Sequence, residues 1–263
     1  MFGLSPALPQ AAGFVLAATV LLSGCMGGVF YDHGQNGEWG PEFLSASKYT
    51  RLIVEIDYEP GAQPESATLS RLETTLNRYL DKPGGIDIRQ SGDIDGNGPG
   101  TKYKFGTIRD SLEDDARDHY KGGDEAVLYV MFLNGGSEAD SSDGSVLGAA
   151  YSGSSVVMFK ENIRKAKDNC FSVAGLGCPS VATIEDAVMT HELGHVLGLV
   201  NNGIPMQTPH EDKDHEGHSD SSRSVMFWKV DTGNIIDFIQ NGNKIPNEFD
   251  DNDRADMKAA GGK

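Results

Sequence analysis

The chain has 263 residues, room for one sizeable domain with appendages. Hydrophobic residues make up 38% and charged residues 23%, the balance of a soluble globular protein, and no interior run is long enough to span a bilayer. Acidic residues outnumber basic ones 39 to 22, for a net charge of -17. That excess argues against nucleic acid as a partner, because a phosphate backbone wants clustered Lys and Arg. It does not select a substrate.

The N-terminus carries a short apolar run, residues 11–22, ending in Leu22-Ser23-Gly24-Cys25. Too short for a comfortable membrane span, it reads as a lipoprotein signal peptide over residues 1–24, with Cys25 lipidated and becoming the new N-terminus. No Lys or Arg precedes the run, so the usual positive region is missing. The expected location is outside the cytoplasm, anchored to a membrane through lipid. Residues 25–47, rich in Gly, Asn and Ser, read as a tether, which leaves residues 48–263 as the domain. In an oxidising compartment Cys170 and Cys178 are expected to close a short loop as a disulfide.

Along the domain, β-branched residues 51–58 predict a strand. Leu69, Leu72, Leu76 and Leu80 space an amphipathic helix over residues 65–80, and residues 85–89 a second strand, so a crossover and a partly parallel sheet are expected. Asp93, Asp95 and Asn97 before Gly98 resemble the start of a calcium loop, but Lys104 stands where a bidentate Glu is required, and a plain turn is the preferred reading. Residues 107–120 read as helix. Residues 125–133 are nearly all apolar and predict a central strand buried on both faces. Residues 146–153 and 155–159 follow as strand segments, with small residues and a broken pattern that suit a sheet edge able to pair with an extended peptide. A short basic helix over 160–167 comes next.

Residues 183–197 predict a helix capped by Ser180 or Thr183. It contains His191-Glu192-Leu193-Gly194-His195. Residues four apart share a helix face, so both imidazoles address one point, and Glu192 is placed to reach a water on a metal held there. H-E-x-x-H is a zinc hydrolase signature: two ligands, and a carboxylate to take the proton from the water. Ala187, Val188, Leu193, Val196, Leu197 and Leu199 make the other faces apolar, so the histidines need a reason to be buried. Gly198 ends the helix. Farther on, residues 235–238 form an apolar patch, and residues 246–257 predict a closing acidic helix capped by Asp250 or Asp251.

His191-Glu192-x-x-His195-x-x-Gly198, with Ser224-Val225-Met226-Phe227 downstream, resembles the metzincin clan of zinc peptidases. The motif likeness covers residues 184–228. The resemblance implies an α+β, zincin-like catalytic domain: a twisted mixed sheet with an edge strand above the cleft, an active-site helix, a methionine turn at Met226 and a C-terminal helix. It implies one catalytic Zn2+ and peptide or protein substrates, with Glu192 as general base. One departure is plain. Metzincins place a third ligand, His or Asp, three residues after the glycine, and Asn201 stands there. The archaemetzincin-like pattern runs from its third histidine as H-C, four residues, C, one residue, M. His218-Ser219 through Ser224-Val225-Met226 has that spacing with serines for both cysteines, which implies His218 as third ligand and no second, structural zinc. His215 and His210 rank next and Asn201 last. Tyr151, on the edge segment, is a candidate for stabilising the oxyanion or for simple packing.

Three functions fit: a membrane-tethered zinc endopeptidase, a non-catalytic zinc-binding lipoprotein acting as a structural or adhesion module, and a zinc hydrolase of non-peptide amides. A structural zinc site has no use for Glu192 as a base, and it closes with four protein ligands.

Overall fold

The computed structural model describes residues 33–142, 144–171 and 177–263. The signal peptide and Cys25 fall outside them. No helix among the described residues is long and apolar enough to cross a membrane.

A short helix, α1 (Gly40–Leu44), precedes β1 (Arg51–Tyr58), α2 (Ser66–Tyr79) and β2 (Gly85–Ser91). Residues 33–47, which composition reads as tether, group with the rest of the described chain. Composition suggested a tether there, but Trp39, Phe43 and Leu44 are buried, and Asp81 donates its N–H to the Leu44 carbonyl at 2.8 Å. Four bulky side chains, Tyr49 included, outweigh the Gly and Asn around them.

A two-residue strand, β3 (Lys102–Tyr103), leads into α3 (Phe105–Thr107), which continues through a wide π turn over Ile108–Glu113 into α4 (Asp114–Ala116). The expected helix to residue 120 stops early for a visible reason. Glu55 of β1 accepts the N–H groups of Asp118 and His119 at 2.6 and 2.8 Å, and Arg117 turns inward to a buried ion pair with Glu113.

Next come β4 (Glu125–Leu133), β5 (Gly136–Ser137), β6 (Gly148–Ala150) and β7 (Ser155–Phe159). The main sheet has the order β2-β1-β4-β7-β6. β1 pairs parallel with β2 and β4, β4 parallel with β7, and only β6 runs antiparallel, at the edge. The sheet is therefore mixed and mostly parallel, with β4 buried at its centre. Tyr129, Met131 and Leu133 of β4 pack with Val157, Phe159, Ile94, Tyr103 and Ile108 on one face. Alternation turns Leu128, Val130 and Phe132 to the other face.

The remaining helices are α5 (Lys160–Asn169), α6 (Val181–Val196), α7 (Ile235–Gln240) and α8 (Asp251–Ala259). α5 is basic in sequence, yet its Lys160 is fully buried, bonded to Glu185 of α6 and to Glu65 at 3.0 Å. That pair ties α5 and the start of α2 to α6. Cys170 and Cys178 are joined as a disulfide between α5 and α6.

The Asp93–Gly98 turn is held through Glu59, which accepts the Tyr103 hydroxyl at 2.5 Å and the Gly98 N–H at 3.1 Å. Asp93, Asp95 and Asn97 are exposed.

Candidate metal centre

α6 starts where Ser180 accepts the Thr183 N–H at 3.1 Å. From Ala187 to its end every residue is buried, the histidines included. Burying an imidazole costs free energy unless its nitrogens are used. His191 uses one: its Nδ1–H donates to the Val225 carbonyl at 2.7 Å, which leaves Nε2 with a lone pair. Nε2 of His195 lies 3.0 Å from it.

Gly198 stops the helix at φ 79°, and Val200 and Asn201 continue in the same left-handed region, at φ 53° and 63°. That reversal turns Asn201 outward, where its amide reaches Glu211 at 3.4 Å. The position that usually carries a third ligand thus faces away from the cluster. The long loop that follows returns with His218. Its Nδ1–H donates to the Glu216 carbonyl at 3.0 Å, and its Nε2 is buried with no partner. Ring nitrogens of His191, His195 and His218 lie within 4.8 Å of one another, with ring centroids 4.7 to 5.2 Å apart.

The other two loop histidines go elsewhere. His210 is buried against α8. Its Nδ1–H donates to the Thr208 carbonyl at 2.8 Å, and Nε2 faces Asp253 and Asp256 at 3.4 and 3.7 Å. The Asp253 carboxylate beside it pushes its pKa up to about 9. His215 stacks on Trp228 with centroids 4.1 Å apart and planes 7° from parallel.

The turn carrying Met226 lies under the helix. A Cβ on Gly194 would stand 2.2 Å from the Met226 sulfur, so only glycine lets helix and turn approach this closely. Ser224 donates to Asp253 of α8 at 2.5 Å and accepts the Met226 N–H at 2.9 Å, while Ser219 donates its N–H to the Met226 carbonyl at 2.8 Å. Both serines are buried and hydrogen-bonded in place.

Glu192 is fixed through one oxygen. Oε2 accepts the Ala150 N–H of the edge strand β6 at 2.8 Å, whereas Oε1 is buried and has no partner. Burial, with Asp231 nearby, pushes its pKa well up. Burial pushes His191 down to about 4 and lowers His195 and His218 as well, so all three rings are neutral near pH 7. Asp231, which the sequence reading did not single out, completes a second set with Glu192 and His191, again within 4.8 Å. Burial raises its pKa to about 6. Nothing in its local sequence marks it, since its place depends on a backbone pairing with the strand region near Leu147. Tyr151 packs from the edge against the core cluster on the far face, beside Tyr129 and Glu113. Its visible contacts are those of packing.

Three neutral imidazoles with converging free nitrogens fit a tetrahedral zinc ion that keeps one position open. Two carbonyls orient His191 and His218, the usual outer support of such ligands. Calcium and magnesium prefer all-oxygen sets, so this donor set suits them poorly.

No family model matches the chain, and no curated protein does. Among solved structures it is similar to archaemetzincin from Methanopyrus kandleri, with 18% identity over 80% of this chain and 96% of that one, at a TM-score of 0.44. What this centre can do follows from its own residues.

Proposed function

We propose that this chain is a zinc-dependent endopeptidase, exported and held to a membrane by lipid on Cys25. The observation that carries the catalytic part is Glu192 Oε1: a buried, partnerless carboxylate oxygen on the same helix turn as two of three converging imidazoles. His191, His195 and His218 would hold the ion, and Met226 would floor the site as a methionine turn. Bound zinc would polarise the scissile carbonyl and acidify the attacking water. Glu192 takes the proton from that water at Oε1 and passes it to the leaving nitrogen, while Ala150 keeps the carboxylate aimed through Oε2. β6, at the sheet edge beside Glu192, takes the substrate as an added strand.

A purely structural zinc would call for a fourth protein ligand. His210 and His215 are the obvious suppliers, and both are committed elsewhere. An open position beside a base favours catalysis.

The test is digestion of a broad peptide library by the zinc-loaded domain, beside Glu192→Gln. We expect cleavage by wild type and a loss of about 100-fold or more in the variant, with zinc retained. Equal digestion by both would remove Glu192 from the chemistry. For the anchor, mass spectrometry of the mature N-terminus should find lipidated Cys25, and Cys25→Ser should leave the membrane fraction; an unmodified Cys25 rejects the lipid.

A further inference from the structure

Asp231 is a half-buried carboxylate beside the candidate centre, with its Oδ1 shielded from solvent and no part in the scheme above. It lies just after the Met226 turn, on a segment laid beside the sheet edge. Its carbonyl accepts the Leu147 N–H at 2.8 Å, the Gly233 N–H donates to Ser145 at 2.8 Å, and Thr232 bridges Val146. Farther along the same edge, Ala150 holds Oε2 of Glu192. Both carboxylates are therefore located by one stretch of chain, and they end beside each other. An oxygen of Asp231, an oxygen of Glu192 and a ring nitrogen of His191 lie within 4.8 Å of one another. Asp231 is in this set and not in the set of three imidazoles, so it borders the ligand cluster instead of completing it.

Oδ1 of Asp231 and Oε1 of Glu192 are both shielded from solvent, and neither meets a donor. Two such oxygens are costly unless a ligand brings hydrogens to them. Peptide hydrolysis brings two kinds, the O–H of water and the N–H of the scissile amide. Glu192 takes the first. We propose that Asp231 takes the second, as a catalytic carboxylate that accepts a hydrogen bond from the scissile nitrogen and holds it as it becomes the leaving amine. This rests on the peptidase reading of the site.

In the balanced step the water oxygen bonds to the carbonyl carbon, and the C–N bond breaks with its electron pair going to nitrogen. Both water protons finish on that nitrogen, one through Glu192 and one from the hydroxyl left on the product acid. The products are a carboxylate and an ammonium; Asp231 is unchanged and faces the ammonium. An anion placed there favours the state in which nitrogen gains positive charge over the neutral amide, which is the preference that raises rate. The substrate class narrows accordingly. The bond cut must be a secondary amide, and a peptide with Pro after the scissile bond, whose nitrogen has no hydrogen, should be refused.

The experiment compares zinc-loaded wild type, Asp231→Asn and Asp231→Glu on a matched amide and ester with the same acyl sequence. Asp231→Asn should keep its zinc and its melting temperature, and lose on the order of 100-fold in kcat on the amide with KM little changed. It should lose much less on the ester, whose leaving oxygen carries no hydrogen, and Asp231→Glu should recover part of the amide rate. An unchanged amide rate, equal losses on both substrates, or loss of zinc would each overturn the proposal. A second measurement needs no turnover: calorimetric binding of leucinamide, a product-like free amine, should weaken several-fold in Asp231→Asn. If wild type cleaves no peptide, the peptidase reading fails by itself, and leucinamide decides alone: Asp231-dependent binding supports the amine-holding role, and equal binding overturns it.

Discussion

His191, Glu192 and His195 lie on a single turn of α6, whereas His218 reaches the same point from a loop that wanders between Leu197 and Ser224. The helix needs only its own hydrogen bonds to hold its two imidazoles on one face. The loop has almost no regular structure and is located from outside. Its Asp220 N–H donates to the His210 carbonyl at 2.9 Å and its Ser219 N–H to Met226. His210 in turn is clamped by Asp253 and Asp256 of α8. One ring nitrogen of His210 donates to a carbonyl and the other stands 3.4 Å from the Asp253 carboxylate, which favours the charged imidazolium. Two of the candidate ligands are thus placed by local geometry, and the third by tertiary packing.

The largest test of that division is His218→Ala beside His191→Ala. If loop and helix contribute equally to one centre, both lose zinc on dialysis and all peptide cleavage. A His218→Ala protein that holds zinc as wild type does would remove the loop from the centre.

Gly194→Ala attacks the seam between the two regions. The added methyl meets the Met226 sulfur at 2.2 Å and the Phe249 ring at 3.0 Å. Overpacking of this kind costs about 1–3 kcal/mol, despite alanine being the better helix former. A lowered melting temperature is expected; a raised one would show that helix and turn are not in contact.

His210→Gln weakens the contact between the loop and α8. Outer supports of metal ligands typically change affinity by roughly 10- to 100-fold, and a drop toward the lower end is expected in a zinc titration. The pH dependence has a defined sign. A histidine raised from 6.5 to about 9 adds stability that is fully present below pH 6.5 and is lost as pH climbs through 9. The stability gap between wild type and His210→Gln should therefore close between those values. A gap constant to pH 10 would mean that the imidazolium is not what holds the loop.

The smallest effect is reserved for Asn201→Ala. The side chain is exposed and makes one long hydrogen bond, to Glu211 at 3.4 Å, so zinc content and turnover should stay within about twofold. A large loss would return Asn201 to the centre.

Much of the sheet and the first half of the site was legible in the order of residues. Strands β1 and β4, the amphipathic α2 with buried Leu72 and Leu76, the Ser180 cap and the Asp250 cap of α8 all follow from local pattern. So does the pairing of His191 with His195, because helix periodicity places residues four apart without reference to anything else. Composition does not tell whether Trp39 and Phe43 find a surface to cover, and both are buried. The same limit applies to residues 107–120, where Glu55, far away in sequence, captures the N–H groups that would have continued the helix.

Helical periodicity is enough to bring two imidazoles and a carboxylate together on α6, and the spacing of His218 to Met226, through the archaemetzincin-like resemblance, already points to the third imidazole. The outward turn of Asn201 and the place of Asp231 beside Glu192 come from tertiary packing. Each of these depends on where a distant backbone lays down a carbonyl, a carboxylate or a strand edge, and no local spacing carries that information.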